Sequence, residues 1–128
     1  MKTMHEDFFK AEGYAIQGAV FEVYKTLGHG FLEPVYQESL ELELRQRQIP
    51  FMAQAMLPVF YKGQKLRQSY RADLICYGQI ILELKATPVL LPEFVSQLLN
   101  YLHATGLHLG YLINFGHEGQ VEIKRLRV

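Results

Sequence analysis

Asp73-Leu74-Ile75-Cys76-Tyr77-Gly78-Gln79-Ile80-Ile81-Leu82-Glu83-Leu84-Lys85-Ala86 holds two apolar segments on either side of Gly78, with an acid ten residues from an acid. This pattern predicts a hairpin with charge on one face. Strand side chains alternate, so Glu83 and Lys85 point one way while Leu82 and Leu84 point the other. If Tyr77-Gly78-Gln79 is a three-residue loop, Cys76 faces Ile80 and Asp73 lies opposite Glu83, with Cβ atoms about 4.5–5.5 Å apart. The two carboxylates then repel each other. A divalent cation would remove that repulsion, and Lys85, one pleat along, could meet a water or a phosphate oxygen. A two-residue loop would put Asp73 on the other face and destroy the site.

Phe9, Ile16, Val20, Val23 and Leu27 recur at helical spacing and predict a first helix from Asp7 to Leu27, stopped by Gly28 and weakened by Gly13 and Gly18. Pro34 suits the first turn of a second helix, with Glu33 at its N-terminal end and the stripe Tyr36, Leu40 and Leu44 ending before Pro50. Three strands follow, Phe51 to Tyr61, Lys65 to Tyr77 and Gln79 to Ala86, the first two joined by Lys62-Gly63-Gln64. Pro58 places the first of them at a sheet edge. A third helix from Pro92 to Thr105 turns Phe94, Leu98 and Leu102 inward and is capped by Gly106. Leu109 to Phe115 and Gln120 to Leu126 complete the chain as strands. The order ααβββαββ predicts an α/β fold in which a mixed sheet is flanked by helices, because the helix before the fourth strand permits a right-handed crossover into parallel pairing. A sheet covered on both faces makes Glu83 and Lys85 costly unless they meet a partner, a metal or a wet cleft.

The chain has 128 residues, enough for one domain (1–128) with its own core, and no internal repeat or linker divides it. Lys plus Arg and Asp plus Glu both number 13, so any polyanion must be held by local patches. Cys76 is the sole cysteine and reads as a small core residue in a cytoplasmic protein. The stretch Met1 to Asp7, which carries the acids Glu6 and Asp7 and leads into a helix, fits neither an export signal nor a membrane span. No histidine pair has metal-ligand spacing, and no glycine-rich phosphate loop is present.

With the order of elements and the acids in hand, the chain resembles the PD-(D/E)XK nuclease superfamily, whose restriction-endonuclease-like core runs αβββαβ. More narrowly it is similar to the GxxExxY proteins through five blocks: Gly30-Phe31-Leu32-Glu33-Pro34-Val35-Tyr36, Tyr70-Arg71-Ala72-Asp73, Leu82-Glu83-Leu84-Lys85-Ala86, Gln97-Leu98-Leu99-Asn100-Tyr101-Leu102 and Gly110-Tyr111-Leu112-Ile113-Asn114-Phe115-Gly116. The resemblance implies a nuclease site using Mg2+, with Mn2+ able to substitute. In it Asp73 and Glu83 are metal carboxylates, Lys85 orients or activates the attacking water, Glu33 contributes from its helix, and Gln97 and Tyr101 line the site. Its implied partner is nucleic acid, DNA ahead of RNA. Ala72 stands where the superfamily's name has a proline.

Each residue also has a plainer reading. Glu83-Leu84-Lys85 could be a solvent-facing row, and Glu33 a carboxylate at a helix N-terminus worth about 0.3–1 kcal/mol through the dipole. Tyr36 shares the stripe of Leu40 and reads as core support, although its hydroxyl could reach Glu33 or a metal-bound water. Gln97 and Tyr101, four apart, share a helix face. Arg71, two residues before Asp73, is the substrate-binding candidate, while Arg45, Arg47, Lys65, Arg67, Lys124, Arg125 and Arg127 could meet phosphates and Tyr61, Tyr70 and Tyr77 could stack on bases. The rival reading is a non-catalytic interaction module on a nuclease scaffold. A homodimer would let two such sites cut both strands of a duplex.

Overall fold

In the computed structural model, residues 8–128 are described, so the expected helix start at Asp7 and the stretch before it lie outside them. Helix α1 (Lys10–Leu27) begins where Phe9 takes a left-handed conformation, φ 51°, and ends at Gly28. The glycine that looked like a weakness in it has a packing reason. A Cβ on Gly13 would lie 2.2 Å from the Tyr111 hydroxyl, so only glycine lets α1 approach the sheet this closely. Gly13→Ala is therefore expected to lower stability by roughly 1–2 kcal/mol net of alanine's better helix propensity, read by thermal denaturation. An unchanged or raised Tm would show that Tyr111 yields freely.

Helix α2 (Glu33–Gln46) starts with Pro34 in its first turn and buries Tyr36, Leu40 and Leu44. It stops short of Pro50 because Gln48 turns left-handed, φ 59°. Strands β1 (Phe51–Tyr61) and β2 (Gln64–Cys76) are joined by Lys62 and Gly63 alone, both at positive φ, with Tyr61 paired to Gln64. Such a two-residue turn matches the strand twist, and it draws Gln64 into β2 rather than into the loop. Between β2 and β3 (Ile80–Lys85) the loop is Tyr77-Gly78-Gln79, and Tyr77, at φ 55°, ends β2 one residue early. Helix α3 (Pro92–Thr105), β4 (Leu109–Asn114) and β5 (Glu122–Arg127) follow.

The strands lie in the order β1-β2-β3-β4-β5, with β3 and β4 parallel and every other pair antiparallel. Chain order equals sheet order because α3 is the sole crossover, and β1, carrying Pro58, is an edge as expected. Two apolar layers hold the sheet. Leu74, Cys76, Ile80, Leu82 and Leu84 pack with Ile16, Val20, Leu40 and Leu44 beneath α1 and α2. Ile75, Ile81 and Leu112 pack with Leu98 and Leu102 beneath α3. Both faces are thus covered at β3, and each buried aliphatic side chain there contributes about 1.5–3 kcal/mol. Cys76 is fully buried in the first layer, and burial pushes its thiol up to about 12.

Candidate active site

The site forms where β2 leaves β3. Cys76 pairs with Ile80, Ile75 with Ile81 and Leu74 with Leu82, the register of a three-residue loop, which carried one step further sets Asp73 opposite Glu83. The ladder stops at that step, while β3 continues alongside β4 as far as Lys85 and Asn114. The Leu84 N–H, released from the β2 ladder, donates instead to Asp73 Oδ2 at 2.8 Å. A carboxylate has replaced a strand as the partner of β3.

Strict alternation also breaks at Asp73. Leu74 and Cys76 belong to the layer under α1 and α2, yet Tyr70 and Ala72, of the same parity, belong to the layer under α3. Across the strand, Gln54 holds φ 52°, and the β1–β2 pairing skips from Ala53–Leu74 to Ala55–Ala72. A left-handed residue in mid-strand costs about 1–2 kcal/mol, and such strain gathers at functional sites. Here it coincides with the switch of faces. Gln37 on α2 donates to the Asp73 carbonyl at 3.0 Å and to Glu41 Oε2 at 2.9 Å, so α2 clamps the kinked strand. Glu33, Pro34, Gln37, Glu38, Gln54 and Asp73 line a cavity of about 290 Å3. Sequence reasoning missed Gln37 and Gln54: glutamine gives no signal for positive φ, and the Gln37 bond spans 36 positions of chain.

Burial raises the Glu83 carboxyl from 4.5 to about 7, against the pull of the Lys85 ammonium; Glu33 adds to the rise and the Asp73 backbone N–H lowers it. Asp73 is raised by burial, with the Leu84 N–H, Lys85 and Arg71 pulling it back. Glu33 is raised by burial and by Asp73 and lowered by Lys85. The four expected residues, Asp73, Glu83, Lys85 and Glu33, therefore share one electrostatic neighbourhood, and Arg71, exposed, is felt by Asp73 within it. The Lys85 ammonium makes no ion pair among the described residues; it rests over the Phe94 ring of α3, 4.5 Å from the centroid.

The supporting residues divide. Tyr36 is core, stacked on Phe115 at 4.5 Å, and its hydroxyl donates to the Gly28 carbonyl and accepts from Phe31 N–H. It fastens the loop ahead of α2, with its hydroxyl engaged there. Phe94, Gln97 and Tyr101 fall at i, i+3 and i+7 on one face of α3. Phe94 meets Lys85, Tyr101 stacks on Tyr70 with centroids 3.6 Å apart, and Gln97 is exposed between them. Tyr70, buried under that stack, is not available to a base. Arg45 and Arg47 pair with Glu41 and Glu43, and Arg125 and Arg127 engage Phe8, so these four sit in local contacts.

Whether the residues suit a divalent cation can be judged from their own atoms. Glu83 Oε1 is buried without a hydrogen-bond partner among the described residues, a state that costs about 1–3 kcal/mol for a neutral group and more for a charged one. Asp73 and Glu83 offer the hard oxygen donors that magnesium prefers, and magnesium needs only one or two such carboxylates. No group of three His, Cys, Asp or Glu side chains is placed to hold an ion among the described residues, so Glu33 acts on the pair through its charge. The fit is that of a two-carboxylate site.

No described helix is long and apolar enough to cross a membrane. No curated protein matches this sequence. Among solved structures, the crystal structure of SSO0001 is similar with a TM-score of 0.58 and 18% identity, over 74% of this chain and 50% of that one. The likeness is one of fold, and the chain spans half the length of that protein. The family model of the PD-(D/E)XK nuclease superfamily matches residues 10–126, which takes in both carboxylates, Lys85, α2 and α3. The chain therefore belongs to the PD-(D/E)XK nuclease superfamily.

Proposed function

We propose that this protein is a divalent-metal-dependent phosphodiesterase acting on nucleic acid, DNA ahead of RNA, with Mg2+ as its ion and Mn2+ able to replace it. The observation that carries the reading is the buried, unpartnered Glu83 Oε1 next to Asp73. An apolar scaffold has no use for such an atom, and a cation would satisfy it. Asp73 and Glu83 would hold the ion, which when bound supplies charge neutralisation at the scissile phosphate and acidifies water. Lys85, fixed over Phe94 and free of ion pairs among the described residues, presents its ammonium to charge developing on the phosphate. Glu33, which lines the same cavity as Asp73, is the chain's own carboxylate placed to take a proton from the attacking water. Gln37 keeps Asp73 in its kinked place through the backbone. The narrower likeness to GxxExxY proteins rests on the five sequence blocks.

A non-catalytic interaction module is the second reading, favoured by Tyr14 and Phe21, which lie seven residues apart on α1 and are both exposed. Cleavage decides between them. Among single- and double-stranded DNA and RNA incubated with Mg2+, at least one DNA should be cut by the wild type and left intact by Asp73→Asn; four uncut substrates would favour the module. One site cuts one phosphodiester, so double-strand breaks would call for two copies of the chain, detectable as a dimer mass by light scattering.

A further inference from the structure

The net charge of zero hides a segregation of charge. From Leu44 to Ala72 the sequence contains no Asp or Glu, and the β1–β2 hairpin carries Lys62, Lys65, Arg67 and Arg71. Every residue from 60 to 69 is exposed, so the end of this hairpin stands clear of both helix layers as a two-stranded ribbon. Lys65 and Arg67 have no carboxylate partner among the described residues, and Lys62 lies over Tyr61. Phe60 and Tyr61 are 46% and 61% exposed, on a tip where water gives apolar rings no reason to gather. The pairing shifts between Pro58–Ser69 and Phe60–Lys65, a bulge that sharpens the ribbon's twist.

We propose that this ribbon is a duplex-DNA docking element that enters the major groove beside the site, an inference that rests on the nuclease reading and names its substrate. A major groove about 12 Å wide admits a two-stranded β-ribbon, whereas the A-form groove of duplex RNA is too deep and narrow for one. The acid-free, basic hairpin segment complements phosphate. β2 carries the ribbon through that bulge to Asp73, and at about 3.3 Å per residue Arg67 lies at most ~20 Å along the strand from it. That is roughly six base-pair steps, within one turn of the duplex.

The test is fluorescence anisotropy of the full chain, in chelator, on a mixed-sequence DNA duplex of about two turns and on its RNA counterpart. Lys62→Gln/Lys65→Gln/Arg67→Gln removes exposed charges and the Lys62 contact with the Tyr61 ring; exposed changes ordinarily move stability by less than about 0.5 kcal/mol, and a thermal melt confirms that it folds. Wild type should prefer the DNA duplex by at least about tenfold, and the triple variant should flatten the log Kd against log salt slope by about 2–3, as three lost phosphate contacts require. Lys124→Gln, a single change on β5, should flatten it by less than 1. An unchanged slope in the triple variant, equal binding of RNA duplex, or no DNA binding by wild type overturns the proposal. Metal-free binding separates it from catalysis: wild-type cleavage with an unchanged triple variant removes the ribbon and keeps the nuclease, while ribbon-dependent binding without cleavage does the reverse.

Discussion

Glu83→Gln is expected to reduce cleavage by about 10^3-fold while making the metal-free protein more stable at pH 8. Both effects come from one half-buried carboxylate whose Oε1 is shut off from solvent. With its pKa raised from 4.5 to about 7, Glu83 binds its proton more tightly in the folded chain than in the unfolded one. Its contribution to stability is fully present below about pH 4.5 and is lost as pH rises through about 7. Asp73 and Glu33, also raised, act in the same direction. At pH 8 the wild type therefore carries a charge that burial disfavours, and glutamine relieves on the order of 2 kcal/mol of it. Denaturant unfolding from pH 4 to 8 in chelator should show a decline that is steeper in wild type than in Glu83→Gln. Saturating Mg2+ should restore the wild type by ligand linkage and leave the variant unmoved. Equal pH slopes for the two proteins would mean that Glu83 is hydrated, and that its unpartnered oxygen says nothing about a metal.

Lys85→Met should lower kcat by about 10^2–10^3-fold without abolishing metal binding. Methionine keeps the packing on Phe94, so the change isolates the ammonium. Lys85 lowers the pKa of Glu33, Asp73 and Glu83, so its removal should shift the pH midpoint of metal binding upward while affinity at high pH rises through lost repulsion. Lys85→Arg should recover part of the rate, since it restores the charge with a different shape. Cleavage within threefold of wild type in Lys85→Met would remove the lysine from the chemistry and leave it as a strand residue that packs on α3.

The elements and their order could be read from periodicity and turn residues because those signals are local. The β2–β3 register was open between a two- and a three-residue loop in the sequence; the structure has Tyr77-Gly78-Gln79 as the loop, and the alignment of Asp73 with Glu83 depends on it. Strict alternation failed at Asp73, since the kink there is shared with Gln54 on a neighbouring strand. Arg71 was placed beside Asp73 by that alternation, and its reach to Asp73 is instead seen in its downward pull on a carboxyl that burial raises. Tyr36 illustrates the opposite case: its stripe position correctly gave a core role, and what its hydroxyl held depended on a loop eight residues away. Tyr70 was offered as a base-stacking residue, and only the approach of Tyr101 from α3 shows it to be covered. Long-range contacts of single side chains are where local pattern is silent.

A metal centre at Asp73 and Glu83 is tested by calorimetric titration of Mg2+ and Mn2+ into wild type and Glu83→Gln at pH 8. One ion should bind the wild type at a site that Glu83→Gln loses, with proton release growing as the pH of the titration is lowered toward 7. Equal binding by both proteins, or none by either with and without nucleic acid, would contradict a metal centre at Asp73 and Glu83.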